Sequence, residues 1–295
     1  MARYLIIANP VSGAQAAPQA AAEVLARLKS AGQEAELQLT QKRGHARELA
    51  AAAVQGGLDV VVACGGDGTL QEIATALEET PVAMGVLPRG RCNDFARAIP
   101  LPRRGTAADL ATILLARKQR RVDLGAVGTQ RFLSIATLGF DSEVSRFVET
   151  RRLPLKGTAA YLYGVVHMLV SYRFPRVRLS GDFGVREGRI LLVATGNTDS
   201  YGGALRVCPG AKLDDGQFQV CFARAVSRPT VLFSLLPRLL KGTHIHHPAV
   251  EMLTTRRLEI STPDGPQWIC ADGETLCQTP CTFTIRPGTL RLIVP

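Results

Sequence analysis

The run Leu58-Asp59-Val60-Val61-Val62-Ala63-Cys64 leads directly into Gly65-Gly66-Asp67-Gly68-Thr69. A nearly continuous apolar segment of this length leaves no face for solvent. It reads as a strand covered on both sides, which is the environment of a parallel sheet flanked by helices. The residues before and after it alternate in the same way. Tyr4–Ala8 is an expected strand. Gln19–Ser30 follows with Val24, Leu25 and Leu28 at helical spacing and Gly32 as a stop. Ala35–Leu39 and Val82–Leu87 are further strands, and His45–Val54 and Thr69–Leu77 further helices. Strand and helix in turn predict a doubly wound, mostly parallel α/β domain over residues 1–127.

The chain then changes character. Strand-like runs at Phe132–Thr137, Val177–Leu179, Arg189–Gly196, Gln217–Ala223, Arg257–Ser261, Gln267–Ala271 and Phe283–Arg286 are separated by Gly, Pro and Asp-Gly turns. One helical stretch, Thr158–Tyr172, interrupts them. This predicts a β-rich sandwich domain over residues 128–295. The boundary is expected near Gly125–Gln130, and the last strand, about 284–295, is a candidate for returning to the first domain.

Composition narrows the class. With 46% apolar and 20% charged residues the chain can bury a sizeable core, which excludes general disorder. No apolar run reaches the ~18 residues a spanning helix needs. The start, MARYLIIANP, reads as a first strand rather than a signal peptide. Seven cysteines without a Cys-x-x-Cys pair read as free thiols of a cytoplasmic protein. The net charge of +10 admits nucleic acid, anionic membrane or phosphorylated ligands. With 5% aromatic residues and no nucleic-acid module, nucleic acid is not the expected partner.

The chemistry concentrates in three turns, each following a strand and opening a helix, where open α/β sheets bind ligands. In Gly65-Gly66-Asp67-Gly68-Thr69-Leu70-Gln71 the glycines allow close backbone approach, and the helix behind offers free N–H groups to phosphate. Asp67 would repel a phosphate unless a metal ion or a substrate hydroxyl lies between them, which points to phosphoryl transfer with a divalent cation. The alternative is a plain Asp-Gly turn. The second turn is Asn9-Pro10-Val11-Ser12-Gly13. The third is Pro88-Arg89-Gly90-Arg91-Cys92-Asn93-Asp94-Phe95-Ala96, where Asn93 or Asp94 could equally be a helix cap.

Asn-Pro-x-Ser-Gly, Gly-Gly-Asp-Gly-Thr and Pro-x-Gly-x-x-Asn-Asp-Phe-Ala, in this order, resemble the diacylglycerol kinase catalytic-domain family. Its members include bacterial soluble lipid kinases, sphingosine kinases and ceramide kinases. Gly139-Phe140-Asp141, Gly196-Asn197 through Tyr201-Gly202-Gly203, Pro209 to Gly216, and Asp272-Gly273-Glu274 extend the likeness over nearly the whole chain. The resemblance implies ATP as donor, a lipid hydroxyl at a membrane surface as acceptor, and a nucleotide held between the two domains. It assigns Asn9, Pro10, Ser12, Gly13, Thr40, Gly65, Gly66, Asp67, Gly68, Thr69, Leu70 and Gln71 to ATP, with Asn93 in the third turn. Bacterial members carry a nucleotide-touching Thr at the position of Arg91. Here Arg91, or Arg89, could supply a charged donor to the phosphates. Lys212, Asp215 and Gln217 match a structural Mg²⁺ site made from one carboxylate and two carbonyls. Glu274 matches the proton acceptor, and Asp272 is the fallback.

Some features stay outside this pattern. His244, His246 and His247 read as a solvated loop. Arg151, Arg152 and Lys156 before the helix Thr158–Tyr172, and Arg173, Arg176 and Arg178 after it, make that helix a candidate for peripheral contact with anionic lipid, against the alternative of a core helix. An exposed edge strand could pair two subunits. Competing readings are an NAD kinase, whose family shares Gly-Gly-Asp-Gly-Thr, and a catalytically silent nucleotide- or lipid-binding regulator.

Overall fold

Four parallel strands form the centre of the first unit: β1 (Arg3–Ala8), β2 (Glu34–Leu39), β3 (Val60–Gly65) and β4 (Ala83–Pro88). Their order is β2-β1-β3-β4, with Ile6 opposite both Leu37 and Val62, and Val62 opposite Gly85. The computed structural model describes residues 1–102, 105–151, 158–203 and 205–295. It divides into Met1–Leu124 with Arg286–Pro295, and Gly125–Ile285. The end of the strand Cys281–Ile293 therefore belongs to the first unit, where Leu292 lies parallel beside Met84.

Every residue of β3 is buried, as its unbroken apolar run requires. The helices covering this sheet are α1 (Ala16–Ser30), α2 (His45–Gln55), α3 (Asp67–Leu77), α4 (Asp94–Arg97) and α5 (Ala107–Ala116). In α1, Ala17, Ala20, Ala21, Val24 and Leu28 recur at three- and four-residue spacing and form the buried stripe. Thr106 and Asp109 close a reciprocal capping box at the start of α5. At α2, Glu72 reaches across from α3, accepting from the amides of Gly44 at 2.8 Å and Ala46 at 3.1 Å. β5 (Gln119–Val127) ends this unit's run along the chain.

The second unit is antiparallel. Its elements are β6 (Gln130–Phe132), β7 (Ile135–Gly139), α6 (Phe140–Thr150), α7 (Thr158–Ser171), β8 (Arg176–Gly181), β9 (Gly184–Gly196), β10 (Phe218–Arg224), β11 (Val250–Thr255), β12 (Arg257–Ser261), β13 (Trp268–Ala271), β14 (Glu274–Gln278) and β15 (Cys281–Ile293). One sheet runs β11-β10-β9-β7-β13-β14. The first half of β9 turns away from it to pair with β8, which continues through β12 to the first residues of β15. Phe132, Phe218, Phe222, Ile260, Ile269 and Phe283 fill the space between the sheets. Phe132 packs on Phe218 and Phe283 with ring centroids 5.8 Å apart in each pair. On the outer face, α6 and α7 cover Ile135, Leu191 and Ala194 with Val144, Val165 and Leu169.

The α/β-plus-sandwich class expected from sequence is the class observed. Details differ for physical reasons. The helix after the glycine loop begins at Asp67, not Thr69, which puts that carboxylate in the first turn. The strand expected at Phe132–Thr137 lies at Ile135–Gly139, because side chains from elsewhere seize the backbone at Leu133–Ser134. β11 and β14 escaped the apolar alternation test, since β14 is half exposed and carries little apolar surface. His244 is buried rather than solvated, with its ring Nε2 3.0 Å from the Val207 carbonyl oxygen. All seven cysteines are free thiols. Arg152 and Lys156 lie outside the described residues.

Candidate active site

Three loops leave the carboxyl ends of β1, β3 and β4, and they interlock. The Asn9 amide donates to the Cys64 carbonyl at 3.0 Å, and the Arg89 amide to the Gly65 carbonyl at 2.8 Å. These bonds prolong the sheet ladder by one rung, so the loops start side by side. Asn9 then fixes its own turn. Its side-chain oxygen accepts from the Val11 amide at 3.1 Å, while its Nδ2 donates to Thr69 Oγ1 at 3.3 Å. The first loop is thereby tied to the helix start of the second.

Glycine is needed where these loops touch. A Cβ on Gly13, which has φ +61°, would stand 2.6 Å from the Arg89 carbonyl oxygen. A Cβ on Gly90 would stand 2.5 Å from Gly66 Cα and 2.7 Å from Asn93 Oδ1. Backbone meets backbone at Gly66–Gly90, so no side chain can yield. Asn93 closes the third loop on itself, accepting from Gly90 N at 2.7 Å and donating to Gly90 O at 3.0 Å from a left-handed conformation at φ +52°. It stands at the cap position of α4, yet its side chain serves the loop rather than the helix.

Asp67 sits half-buried within this rim. Its Oδ1 accepts from the Phe95 amide at 3.4 Å, at the start of α4. Burial pushes its carboxyl above the ordinary carboxylate range, outweighing the backbone amides of Phe95, Asp94 and Asn93 that pull it down. Cys64, just before the glycines, is a core thiol, donating to the Ala17 carbonyl at 3.3 Å, and burial raises it to about 12. Thr40 is buried at the end of β2, its amide donating to the Ala8 carbonyl at 2.9 Å. Arg91 is exposed, whereas Arg89 is half-buried and donates to the Pro88 carbonyl at 2.9 Å.

A second cluster lies in the other unit. Asp272 and Gly273 have φ +50° and +85°, which makes Asp-Gly the two-residue turn between Ala271 and Glu274. The Asp272 carboxylate accepts from Leu133 N at 2.6 Å and Ser134 N at 2.9 Å. Buried Asn197 holds the same stretch from the opposite side. Its Nδ2 donates to Leu133 O at 3.0 Å and its amide to Ser134 O at 2.8 Å. Glu274 stands exposed on the far side of the turn. Asp141, from Gly-Phe-Asp, is buried at the start of α6 and accepts from Thr137 Oγ1 at 3.0 Å. Nothing in the sequence marked Leu133–Ser134 as the point where Asp272 and Asn197 converge, because the bonds run to backbone amides that any residue could provide.

Asp215 lies exposed in a turn whose Gly216 has φ +70°, with its Oδ1 accepting from Gln217 N at 3.1 Å. Asp215 and its neighbouring backbone carbonyls offer oxygen donors, the ligand type that Mg²⁺ takes. Among the described residues, no group of three or more His, Cys, Asp or Glu side chains gathers to hold a metal.

A parallel α/β unit whose strand ends converge in a glycine-lined, amide-rich rim is the architecture of a phosphate-handling enzyme. Residues 3–127 match the diacylglycerol kinase catalytic domain, and residues 134–294 match the YegS C-terminal NAD kinase beta sandwich-like domain. A diacylglycerol kinase of Staphylococcus saprophyticus is 31% identical over 99% of this chain and 95% of its own length. One from Mycobacterium tuberculosis is 33% identical over 98% and 94%. A crystal structure of a diacylglycerol kinase from Bacillus anthracis shares the fold, with TM-score 0.74 and 19% identity over 99% of this chain and 97% of that one. The chain belongs to the diacylglycerol kinase family and is a lipid kinase. Among the described residues, no helix is long and apolar enough to cross a membrane.

Proposed function

We propose that the protein transfers the γ-phosphoryl group of Mg-ATP to the hydroxyl of a membrane lipid, diacylglycerol or a related glycerolipid or sphingoid. The observation that carries this is the interlocked rim of three glycine- and asparagine-bearing loops around the half-buried carboxylate of Asp67. The helix start of α3 suits phosphate oxygens, and the closeness of Gly66 and Gly90 lets a nucleotide lie against bare backbone. Asn9, Pro10, Ser12, Gly13 and Thr40 would border the nucleotide, with Gly65 to Gln71 along its phosphates and Asn93 keeping the third loop closed. Arg91, exposed within that loop, would add a charged donor.

Magnesium supplies charge neutralisation for the phosphates when bound. Asp67 would hold it at the rim, and Asp215 with the carbonyls of Lys212 and Gln217 would hold a structural ion. Asp67 orients the reacting groups. Glu274 takes the proton of the lipid hydroxyl, and Asp272 holds the turn that presents Glu274. The names of the relatives favour diacylglycerol as acceptor.

The test is transfer of labelled γ-phosphate from Mg-ATP to diacylglycerol, monoacylglycerol, sphingosine, ceramide and phosphatidylglycerol in mixed micelles, with NAD in buffer alongside. A labelled lipid is the expected product. Labelled NADP with unlabelled lipids would overturn the acceptor assignment.

A further inference from the structure

Cys277 lies near the end of β14 and Cys281 opens β15, with Gln278, Thr279 and Pro280 between them. This short connection is held from outside. The buried Thr279 donates from its amide to the Gln267 carbonyl at 3.0 Å, and its hydroxyl oxygen accepts from the Gln267 amide at 2.9 Å and pairs with the Thr262 hydroxyl. Strand pairing fixes both flanks, with Cys277 opposite Ile269 on β13 and Cys281 opposite Ile260 on β12. Both cysteines are half-buried and pack on the same core of the second unit, and their thiols share a hydrogen bond. The two sulfurs are thus brought together by a connection and by ladders that owe nothing to either thiol.

The other cysteines stand in different surroundings. Cys64, Cys208, Cys221 and Cys270 are buried, and burial raises Cys64 and Cys221 to about 12 and Cys208 well above the usual thiol range. Cys208 and Cys221 also lie near one another, but at 0% and 1% exposure they are closed to a reagent. Cys92 is half-buried, and burial with the carboxylates of Asp94 and Asp67 raises it. Cys277 moves the opposite way. The hydrogen bond from the Cys281 thiol stabilises its thiolate and lowers it, while the same bond and burial raise Cys281. One sulfur of the pair is a nucleophile, and the other keeps its proton until a second step calls for it. A cavity of about 260 Å³ opens beside Cys281 and Pro280, and Arg178, Glu259 and Thr282 in its lining suit a small hydrophilic reagent.

We propose that Cys277 and Cys281 form an oxidisable dithiol site, which closes to a disulfide by exchange with a low-molecular-weight disulfide. In the first step the Cys277 thiolate attacks one sulfur of the reagent, whose S–S bond breaks. A mixed disulfide forms on Cys277, and the departing thiolate takes up the proton that Cys277 lost. In the second step Cys281 gives up its proton and attacks Cys277 Sγ. The bond to the reagent breaks, the Cys277–Cys281 bond forms, and the second half of the reagent leaves as a thiol with that proton. Two electrons pass from the protein to the reagent, which ends as two thiols. The new bond joins the end of β14, the strand that begins at Glu274, to the start of β15.

The test is incubation of the full chain with bis(2-hydroxyethyl) disulfide near neutral pH, followed by alkylation, trypsin and mass spectrometry. The tryptic peptide 258–291 holds Cys270, Cys277 and Cys281. In the wild type it should lose two hydrogen atoms, with the bond placed between Cys277 and Cys281 by fragmentation, and dithiothreitol should restore the original mass. Cys281→Ser keeps a hydroxyl to hydrogen-bond Cys277, so the first step should proceed and stop at a mixed disulfide carrying one half of the reagent. Cys277→Ser should slow reaction of the peptide by about tenfold or more, since the nucleophile is gone. Wild-type peptide that keeps all its thiol hydrogens while free dithiothreitol is oxidised by the same reagent would overturn the site, whatever the variants do. So would a bond made to Cys270 in place of either partner, or a Cys277→Ser chain that reacts as fast as the wild type.

Discussion

Asp272 and Glu274 are two residues apart, and the geometry gives them opposite kinds of work. Asp272 spends both carboxylate oxygens on the amides of Leu133 and Ser134, at 2.6 and 2.9 Å, and those two residues are each 1% exposed. Asp272→Ala would leave two buried N–H groups without an acceptor, at about 1–3 kcal/mol each. A second cost comes from turn chemistry, because Asp tolerates the positive φ at position 272 better than alanine does. The expected loss is about 3–5 kcal/mol of unfolding free energy. With a urea dependence of about 2 kcal/mol per molar, the midpoint should fall by about 1.5–2.5 M. The chain has one tryptophan, Trp268, on β13 four residues before Asp272, so its fluorescence reports the unfolding of this unit. Glu274→Ala, exposed on the other side of the turn, should leave that midpoint within about 0.3 M of the wild type while kcat falls by about 10²-fold. Asn at 272 should rescue part of the stability, since one acceptor oxygen remains. A wild-type urea midpoint for Asp272→Ala would refute the anchoring argument. Equal losses of kcat in Asp272→Asn and Glu274→Ala at equal stability would refute the division of labour.

Three further outcomes follow from the same geometry. Gly90→Ala forces a Cβ to 2.5 Å from Gly66 Cα, so ATP affinity should drop at least about tenfold and stability by about 1–3 kcal/mol, read by nucleotide titration and thermal melting. Asp67→Asn should cut kcat by about 10²-fold or more without lowering Tm. Because burial raises the Asp67 carboxyl, the folded state holds its proton more tightly than the unfolded chain. This group's contribution therefore favours folding at low pH and is lost as pH rises from the ordinary carboxylate range through the raised value, a slope that Asp67→Asn should remove from melting curves. His244 behaves in the opposite sense. Burial lowers its pKa, so the unfolded chain takes up the proton first, and stability should fall as pH drops below the ordinary histidine value, less steeply in His244→Gln.

The fold class was legible because its evidence is local. An unbroken apolar strand such as Val60–Cys64 can only be covered on both faces, and the glycine loop after it announces a close backbone approach. The three loops could be located at strand ends from sequence. That they touch one another at Gly13–Arg89 and Gly66–Gly90 could not, since such contacts depend on sheet order. The helix start was misplaced by two residues because Asp67 and Gly68 are poor helix formers held there by position rather than propensity. β14 was missed for want of apolar alternation; its pairing with β13 is fixed by the Asp272-Gly273 turn. His244 was misread because its neighbours His246 and His247 and the following Pro248 look like loop, whereas its burial comes from a contact with Val207 far away in sequence.

The last ten residues, Arg286–Pro295, belong to the unit formed by the first 124, with Leu290, Leu292 and Ile293 at most 1% exposed there. During synthesis, the α/β unit is thus the first to begin and the last to be completed. Until the final strand arrives, β4 offers an unpaired edge and the unit lacks part of its core. A fragment ending near residue 124 should aggregate rather than fold, and a circular permutant joining the present ends should place the whole α/β unit on one uninterrupted stretch of chain.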